Sequence, residues 1–324
     1  MPRFGISIPN GWLLDLSNVE GAARKWATTR ANVVEAEAAG FDSAWIVDHF
    51  HTFPLKTVEA TFEAFTTLTA LAEATTRIRL GQMVTCNSYR NPAYLAKIAA
   101  CLDVISGGRT TLGIGAGWYS EEYEAYGYEF PKIGTRLQML KEACEILTRL
   151  WTEERVTYEG KQYQLKDAIC EPKPLQRPHP PLLIGGSGEK VLLRCVARYA
   201  NAWNANLSFD EYRRKVEILH QHCTEVGRNP AEIELTVSLP IVIVDDHKDI
   251  NTVLSERLPK SIPVEMLRQR YEQAGGIFGT PAEVAERLQP WIRFGLGTII
   301  CVFSDPISRK QMQRFAAEVR PQFA

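Results

Sequence analysis

A chain of 324 residues with 45% hydrophobic residues and a formal net charge of −1 can form a large apolar core. The near-neutral charge argues against partners that bind a basic surface, such as nucleic acid or an anionic membrane. No apolar run approaches the roughly 18 residues of a membrane-spanning helix, and the first residues lack a signal-peptide pattern. We therefore expect a cytoplasmic protein.

The seven cysteines are scattered, and none stands in a CxxC or Cys/His ligand spacing. A disulfide framework or a structural zinc site is therefore not expected. His220 and His222 are two positions apart on a predicted helix, so they do not share a face. We predict no metal.

Short β-like runs alternate with helical patterns from the start of the chain. In the first half we predict, in order, strand 3–9, a helix ending near 39, strand 42–47, helix 61–74, strand 78–85, helix 92–105, strand 110–114 and, after a long loop, helix 135–151. Between 152 and 181 the alternation breaks. There VTYEGKQYQL predicts a β-hairpin with Gly160 at its turn, and a proline-rich return follows.

The second half predicts strand 182–184, helix 190–199, strand 202–206, helix 209–226, strand 233–244, a less regular stretch 245–275, a helix capped by Thr280 with Pro281 at its first position, and strand 298–303. About eight strand–helix units predict a (β/α)8 TIM barrel with insertions. A doubly wound open sheet is the alternative, because periodicity does not show whether a sheet closes. We predict one domain over 1–324, with insertions near 152–181 and 245–275 that serve as lids or as a dimer contact.

Catalytic residues of such a barrel lie in the loops that follow its strands. The second predicted strand is followed by Asp48, His49 and His51. An imidazole exchanges a proton near pH 7, and an adjacent carboxylate tunes it. The alternative is an Asp turn with a solvent-facing histidine.

The third predicted strand is followed by Cys86, Asn87 and Ser88, at the position where a cofactor approaches such a barrel. The alternative is an ordinary polar loop before a helix that Asn91 and Pro92 open. A nucleophilic role for Cys86 has little support, because no base accompanies it in the local sequence.

The fourth predicted strand leads into GIGAGWYSEEYEAYG. Gly113, Gly115 and Gly117 do not make a dinucleotide fingerprint, because we predict no helix directly after them. They are predicted instead to let the backbone approach a flat ligand, with Trp118 and Tyr119 as a wall. Glu121 and Glu122 are either candidates for acid–base chemistry or part of a solvated surface.

The stretch LLIGGSGEK places Gly185, Gly186, Ser187 and Gly188 between an apolar run and an amphipathic helix. Unpaired backbone N–H groups and the helix dipole at such a loop attract phosphate. A tight strand-to-helix turn that needs positive φ fits these four residues equally well.

Four segments together resemble the luciferase-like monooxygenase superfamily, and within it the oxidoreductases that use the deazaflavin coenzyme F420. They are AEAAGFDSAWIVDHF, VTCNSYRNPAYLAKIAACLDVISGGRTTLGIGAGWYSEEYEAYG, LLIGGSGEKVLLRCVARYANAWN and GTPAEVAERL. The resemblance runs from the first strand to the last helix. It implies a (β/α)8 barrel that binds F420, or alternatively FMN, and that forms a homodimer.

The resemblance also implies hydride transfer between F420 and an unidentified small organic substrate. His49 is the implied proton donor or orienter, with Asp48 as its helper and Glu121 as the third catalytic candidate. The implied substrate pocket contains His51, Trp118 and Tyr119. The implied coenzyme residues are Asp48, His49, Thr85, Cys86, Asn87, Gly115, Gly117, Gly185, Gly186, Ser187 and Gly188.

Two details of the resemblance carry specific expectations. A non-prolyl cis peptide behind the coenzyme ring would be the Cys86–Asn87 bond, and Gly185–Gly188 would bind the coenzyme's phosphodiester. The family's sugar-phosphate dehydrogenases have a tryptophan a few residues beyond the Asp–His pair, where this chain has HFHTFP. That difference argues against a sugar-phosphate substrate. The alternatives to F420 chemistry are an FMN-dependent monooxygenase that uses oxygen and a barrel that binds flavin without turnover.

Overall fold

The computed structural model describes residues 2–256 and 263–323. The strands are β1 Arg3–Ser7, β2 Ser43–Ile46, β3 Arg79–Gln82, β4 Thr85–Cys86, β5 Thr110–Gly115, β6 Val156–Glu159, β7 Gln164–Ala168, β8 Leu182–Gly185, β9 Ala202–Asn204, β10 Glu234–Ile243, β11 Ile277–Gly279 and β12 Thr298–Phe303. The helices are α1 Ala22–Ala38, α2 Ala64–Glu73, α3 Pro92–Ile105, α4 Ser120–Ala125, α5 Ile133–Thr152, α6 Leu192–Tyr199, α7 Phe209–Glu225, α8 Ile250–Ser255, α9 Val264–Gln273, α10 Pro281–Arg293 and α11 Lys310–Arg314. None of these helices is long and apolar enough to cross a membrane.

The chain divides into two compact units. The first unit comprises Met1–Glu63, Asn204–Arg214 and Glu234–Ala324, and the second comprises Ala64–Trp203 and Lys215–Ile233. In both units parallel strands alternate with helices, as the predicted (β/α)8 barrel with insertions requires.

The first unit contains parallel strands in the order β11-β10-β12-β1-β2. β12 is almost continuously apolar and buried, as expected of a parallel strand covered on both faces. Phe4 of β1 packs edge-on against Phe315, with ring centroids 5.1 Å apart. The predicted cap of α10 is confirmed, because Thr280 and Glu283 form a reciprocal capping box and Pro281 occupies the first position.

The second unit contains parallel strands in the order β3-β5-β8-β9, and β4 also pairs with β5. The predicted third strand is therefore two strands, separated by Met83 and Val84. The predicted hairpin is confirmed as the antiparallel pair β6–β7, which is a separate two-stranded sheet.

Two segments are more regular than the sequence suggests. The stretch 245–275 contains α8 and α9, although residues 257–262 lie outside the described residues. The buried residues that anchor both helices to β10 are Leu14, Val242, Val244, Ile250, Leu254, Leu267 and Tyr271. The loop predicted after β5 contains α4, a six-residue helix with Glu121 and Glu122 in its first turn. Short helices with so few apolar positions lack a clear periodic signal.

Candidate active site

The loop after β2 places His49 against an aromatic ring that the sequence did not point to. The imidazole stacks on the indole of Trp12, with centroids 4.1 Å apart and planes 7° apart. Trp12 in turn stacks on Phe53 at 5.6 Å. The backbone N–H of Phe53 donates to the carbonyl of Trp12 at 2.7 Å, which ties the two loops together. The plane of the His49 ring is therefore fixed by its neighbours.

Asp48 and His51 flank this stack in the sequence, and both side chains are buried. The Nδ1 atom of His51 lies 3.3 Å from the carbonyl oxygen of Thr52. The hydroxyl of Thr52 donates to the carbonyl of Leu55 at 2.8 Å and accepts from the backbone N–H of Thr57 at 2.8 Å. His51 is thus buried in a hydrogen-bonded loop, which contradicts the alternative of a solvent-facing histidine at this position.

The non-prolyl cis peptide is Met83–Val84, so the expectation of a cis bond at Cys86–Asn87 is wrong. The chain leaves the sheet after Gln82 and pairs again at β4, where Cys86 is in register with Gly115. The cis bond therefore lies in the gap between β3 and β4. Cys86, which follows it, is held in the regular pairing of β4 with β5.

Val84 explains two glycines of the predicted coenzyme site, Gly115 at the end of β5 and Gly185 in the predicted phosphate loop. A Cβ on Gly115 or on Gly185 would stand 2.8 Å from a methyl carbon of Val84. Real Cβ atoms do not approach so closely, so these strands need glycine to make room for the valine side chain.

Buried polar atoms concentrate around this break in the sheet. The side chains of Gln82, Thr85 and Asn87 are each at most 1% exposed. Both polar atoms of the Gln82 carboxamide, the Thr85 hydroxyl and Oδ1 of Asn87 have no hydrogen-bond partner in the described part of the chain. Leaving one such group unsatisfied costs about 1–3 kcal/mol, so these donors and acceptors are candidate contacts for a polar ligand.

Cys86 contacts a tyrosine rather than a base. Its Sγ lies 3.0 Å from Oη of Tyr123, inside the protein. Gly117 packs directly on this pair: its φ is +78°, and a Cβ there would stand 2.0 Å from the Tyr123 oxygen. Burial, followed by the neighbouring Cys86, raises the pKa of Tyr123. The contact of Cys86 with Tyr123 thus supports the loop after β5.

The two glutamates of α4 have different environments. Glu121 is exposed and accepts a hydrogen bond from Oη of Tyr119 at 3.2 Å. Glu122 is fully buried and accepts from Oη of Tyr89 at 3.0 Å. Burial is the largest cause that raises the pKa of Tyr89, and Glu122 adds to it. The sequence identified both glutamates as candidates but did not show which carboxylate is buried.

Trp118 and Tyr119 form the aromatic pair predicted as a wall. Their rings stack with centroids 5.0 Å apart and planes 21° apart. Tyr119 is buried, whereas Trp118 is 55% exposed. An exposed indole held against a buried ring offers an apolar surface for a ligand.

The glycine loop follows β8 as predicted, although α6 begins at Leu192 rather than at 190. Gly186 has φ +129°, and a Cβ there would stand 2.7 Å from Leu192. Its carbonyl accepts a hydrogen bond from the indole of Trp203 at 2.8 Å. No side chain caps the N-terminus of α6, although the backbone N–H of Leu193 donates to the carbonyl of Gly188 at 3.0 Å.

In residues 2–256 and 263–323, no three His, Cys, Asp or Glu side chains are grouped as metal ligands would be. The alternation of parallel strands and helices, with polar residues after successive strands, is that of a (β/α)8 barrel. The family of luciferase-like monooxygenases matches residues 3–297, and the chain belongs to that family. The resemblance drawn from the sequence is thereby confirmed.

Individual relatives agree with this assignment. The chain is 28% identical over 321 residues to the F420-dependent glucose-6-phosphate dehydrogenase of Intrasporangium calvum, which covers 90% of this chain and 92% of the relative. An F420-dependent secondary alcohol dehydrogenase in complex with an F420–acetone adduct superimposes with a TM-score of 0.81, at 20% identity, over 99% of each chain. The monooxygenase RslO1 from Streptomyces bottropensis superimposes with a TM-score of 0.82, at 24% identity, over 99% of this chain and 100% of its own. The two structures establish the shared fold, which confirms the predicted barrel.

Proposed function

We propose that this protein is an F420-dependent oxidoreductase, which transfers a hydride between the deazaflavin and a small organic substrate. The observation that carries the proposal is the set of buried, unsatisfied polar atoms on Gln82, Thr85 and Asn87 beside the Val84 side chain. A planar heterocycle with polar edges and an apolar face fits this set. The F420-dependent relatives support the choice of coenzyme.

The glycine loop fits the charged end of the same coenzyme. Gly185–Gly188 would provide backbone N–H groups for a phosphodiester, and no side chain caps the start of α6 that follows. Glu189 lies beside this loop, but its carboxylate is 2.6 Å from Nζ of Lys215, which offsets its charge. The chain's near-neutral net charge is compatible, because backbone groups bind an anion locally.

The bound deazaflavin supplies the ring carbon that gives or accepts the hydride. His49 holds the proton that the substrate oxygen or nitrogen gains or loses, and Trp12 keeps the imidazole plane fixed. Asp48 is the carboxylate next to His49 in the chain and is its proposed helper. Glu121 is a third acid–base candidate, with a weaker claim because its side chain is exposed. His51, Trp118 and Tyr119 are the proposed substrate-binding residues.

An FMN-dependent monooxygenase is the second candidate function. The close superposition with the monooxygenase RslO1 favours it, because the same fold serves oxygen chemistry there. The homodimer and the cytoplasmic location remain expectations from the sequence.

A substrate screen separates the two functions. The protein is incubated anaerobically with oxidised F420 and alcohols, sugars or sugar phosphates, and with reduced F420 and ketones, imines or enones. Loss or recovery of the deazaflavin absorbance with one class supports the proposal. His49→Ala should then slow turnover by about 100-fold or more, the usual contribution of a general acid–base residue. Oxygen consumption with reduced FMN, and no F420 turnover with any class, would contradict it.

A further inference from the structure

The tip of the β6–β7 hairpin is fastened to α5 by one carboxylate. Glu142 of α5 accepts hydrogen bonds from the backbone N–H groups of Lys161, Gln162 and Tyr163, at 3.1, 2.9 and 3.1 Å. The Gln138 amide donates to the same carboxylate at 2.9 Å. The turn is therefore held by side-chain bonds as well as by the short strand pairing.

The sequence of the turn is adapted to this carboxylate. A Cβ on Gly160 would stand 2.3 Å from Oε2 of Glu142, so only glycine leaves the space that the carboxylate occupies. Burial acts to raise the pKa of Glu142, but the hydrogen bonds from Gln138 and the turn outweigh it and lower the pKa. The carboxylate is thus charged at neutral pH, when its bonds to backbone N–H groups are strongest. A tip held in this way is a fixed element rather than an opening lid.

The fixed tip places Tyr163 on a residue of the proposed coenzyme site. Nδ2 of Asn87 donates to Oη of Tyr163 at 3.2 Å, although the two residues are 76 positions apart. α5 also packs against the turn Asn87–Tyr89. With Nδ2 engaged, the carboxamide presents Oδ1 as an acceptor, and this buried atom has no partner in the described residues.

We propose that Tyr163 is a positioning residue, which orients the Asn87 carboxamide so that its Oδ1 accepts a hydrogen bond from the ring N–H of the bound coenzyme. The inference rests on the proposed function and deepens it. The insertion between α5 and β8 then contributes to coenzyme binding through one hydroxyl. The required ligand chemistry is a planar ring with an N–H flanked by carbonyls, which deazaflavin and FMN share.

Four variants test the inference in the full-length protein: Asn87→Ala, Tyr163→Phe, the double variant, and Tyr158→Phe as the control. Tyr158→Phe removes the other tyrosine hydroxyl of the hairpin, which does not bond Asn87. The dissociation constant of F420 is measured by fluorescence titration, and urea unfolding of the coenzyme-free variants checks their integrity. We expect Asn87→Ala to weaken F420 binding about tenfold and Tyr163→Phe about three- to tenfold, whereas Tyr158→Phe changes it less than about twofold.

The double variant is the decisive sample, because a positioning residue acts only through its partner. We expect Asn87→Ala with Tyr163→Phe to bind F420 no more weakly than Asn87→Ala alone. Full additivity of the two losses, or wild-type affinity for Tyr163→Phe, would overturn the positioning role while leaving the proposed function intact. If the wild type binds FMN but not F420, the same titrations are made with FMN. Binding of neither coenzyme to the wild type would overturn both proposals.

Discussion

Gly117 and Gly127 form a matched pair that tests how the loop after β5 is built. Both have left-handed backbones, with φ of +78° and +73°. A Cβ on Gly117 would stand 2.0 Å from Oη of Tyr123 and 2.8 Å from Sγ of Cys86, whereas a Cβ on Gly127 meets nothing within 4 Å among the described residues. The variants Gly117→Ala and Gly127→Ala therefore share a backbone cost and differ only in packing.

The expected free energies follow from this difference. Gly127→Ala should lower the free energy of unfolding by about 1–2 kcal/mol, the cost of a left-handed alanine. Gly117→Ala adds about 1–3 kcal/mol for displacing the Tyr123 ring and about 1 kcal/mol for the lost contact with Cys86. The gap between the two variants is thus about 2–4 kcal/mol. Because Gly117 is also a proposed coenzyme residue, its variant should bind F420 more weakly than Gly127→Ala.

Urea unfolding of the coenzyme-free proteins, followed by far-UV circular dichroism, measures the gap. F420 titrations of the folded variants measure the functional effect. Equal destabilisation by the two substitutions would refute the reasoning, because it would show that the space beside Gly117 is not filled by Tyr123 and Cys86.

Three further predictions concern other parts of the site. Gln82→Met removes two buried polar atoms that lack partners in the described structure. It should therefore raise the free energy of unfolding, measured in urea, by about 1–3 kcal/mol and also weaken F420 binding. Unchanged binding would place the ligand elsewhere. Trp12→Leu should lower kcat about tenfold or more with little change in the F420 dissociation constant, because the His49 ring loses its stacking partner. Trp12→Phe keeps an aromatic ring and should restore most of the rate. Equal rates for the two variants would exclude the stacking role. The pKa of Glu142 is lowered in the folded protein, so the carboxylate stabilises fully above its unfolded-state pKa near 4.5, and this contribution is lost as the pH falls below that value. The difference in unfolding free energy between wild type and Glu142→Gln should therefore shrink from pH 7 to pH 3.5. A constant difference would contradict the assignment.

The sequence predicted elements best where local signals bound them. α3 has its predicted limits, 92–105, because the Asn91 side chain caps it, Pro92 begins it and two glycines follow its end. β12 likewise has its predicted limits, 298–303. The break at Met83–Val84 had no such signal, because neither glycine nor proline stands at residues 82–85, and the side chain of Val84 packs on glycines of neighbouring strands.

The sequence predicted which positions belong to the candidate site, but not which of their side chains contact each other. Asp48, His49 and Asn87 follow strand ends, which the order of elements reveals. The stack of Trp12 on His49 and the bond from Asn87 to Tyr163 join residues 37 and 76 positions apart, and no local pattern indicates them. The choice between Glu121 and Glu122 depends on how the short helix α4 is turned, which its six residues do not determine.

The central claim is that this barrel binds a deazaflavin in preference to FMN. The most direct test is to titrate the purified, coenzyme-free protein with F420 and, separately, with FMN, following tryptophan fluorescence. We expect saturable binding of F420 that is at least about tenfold tighter than that of FMN, a difference of about 1.4 kcal/mol. Tighter binding of FMN would contradict it and direct the search toward oxygen-dependent chemistry.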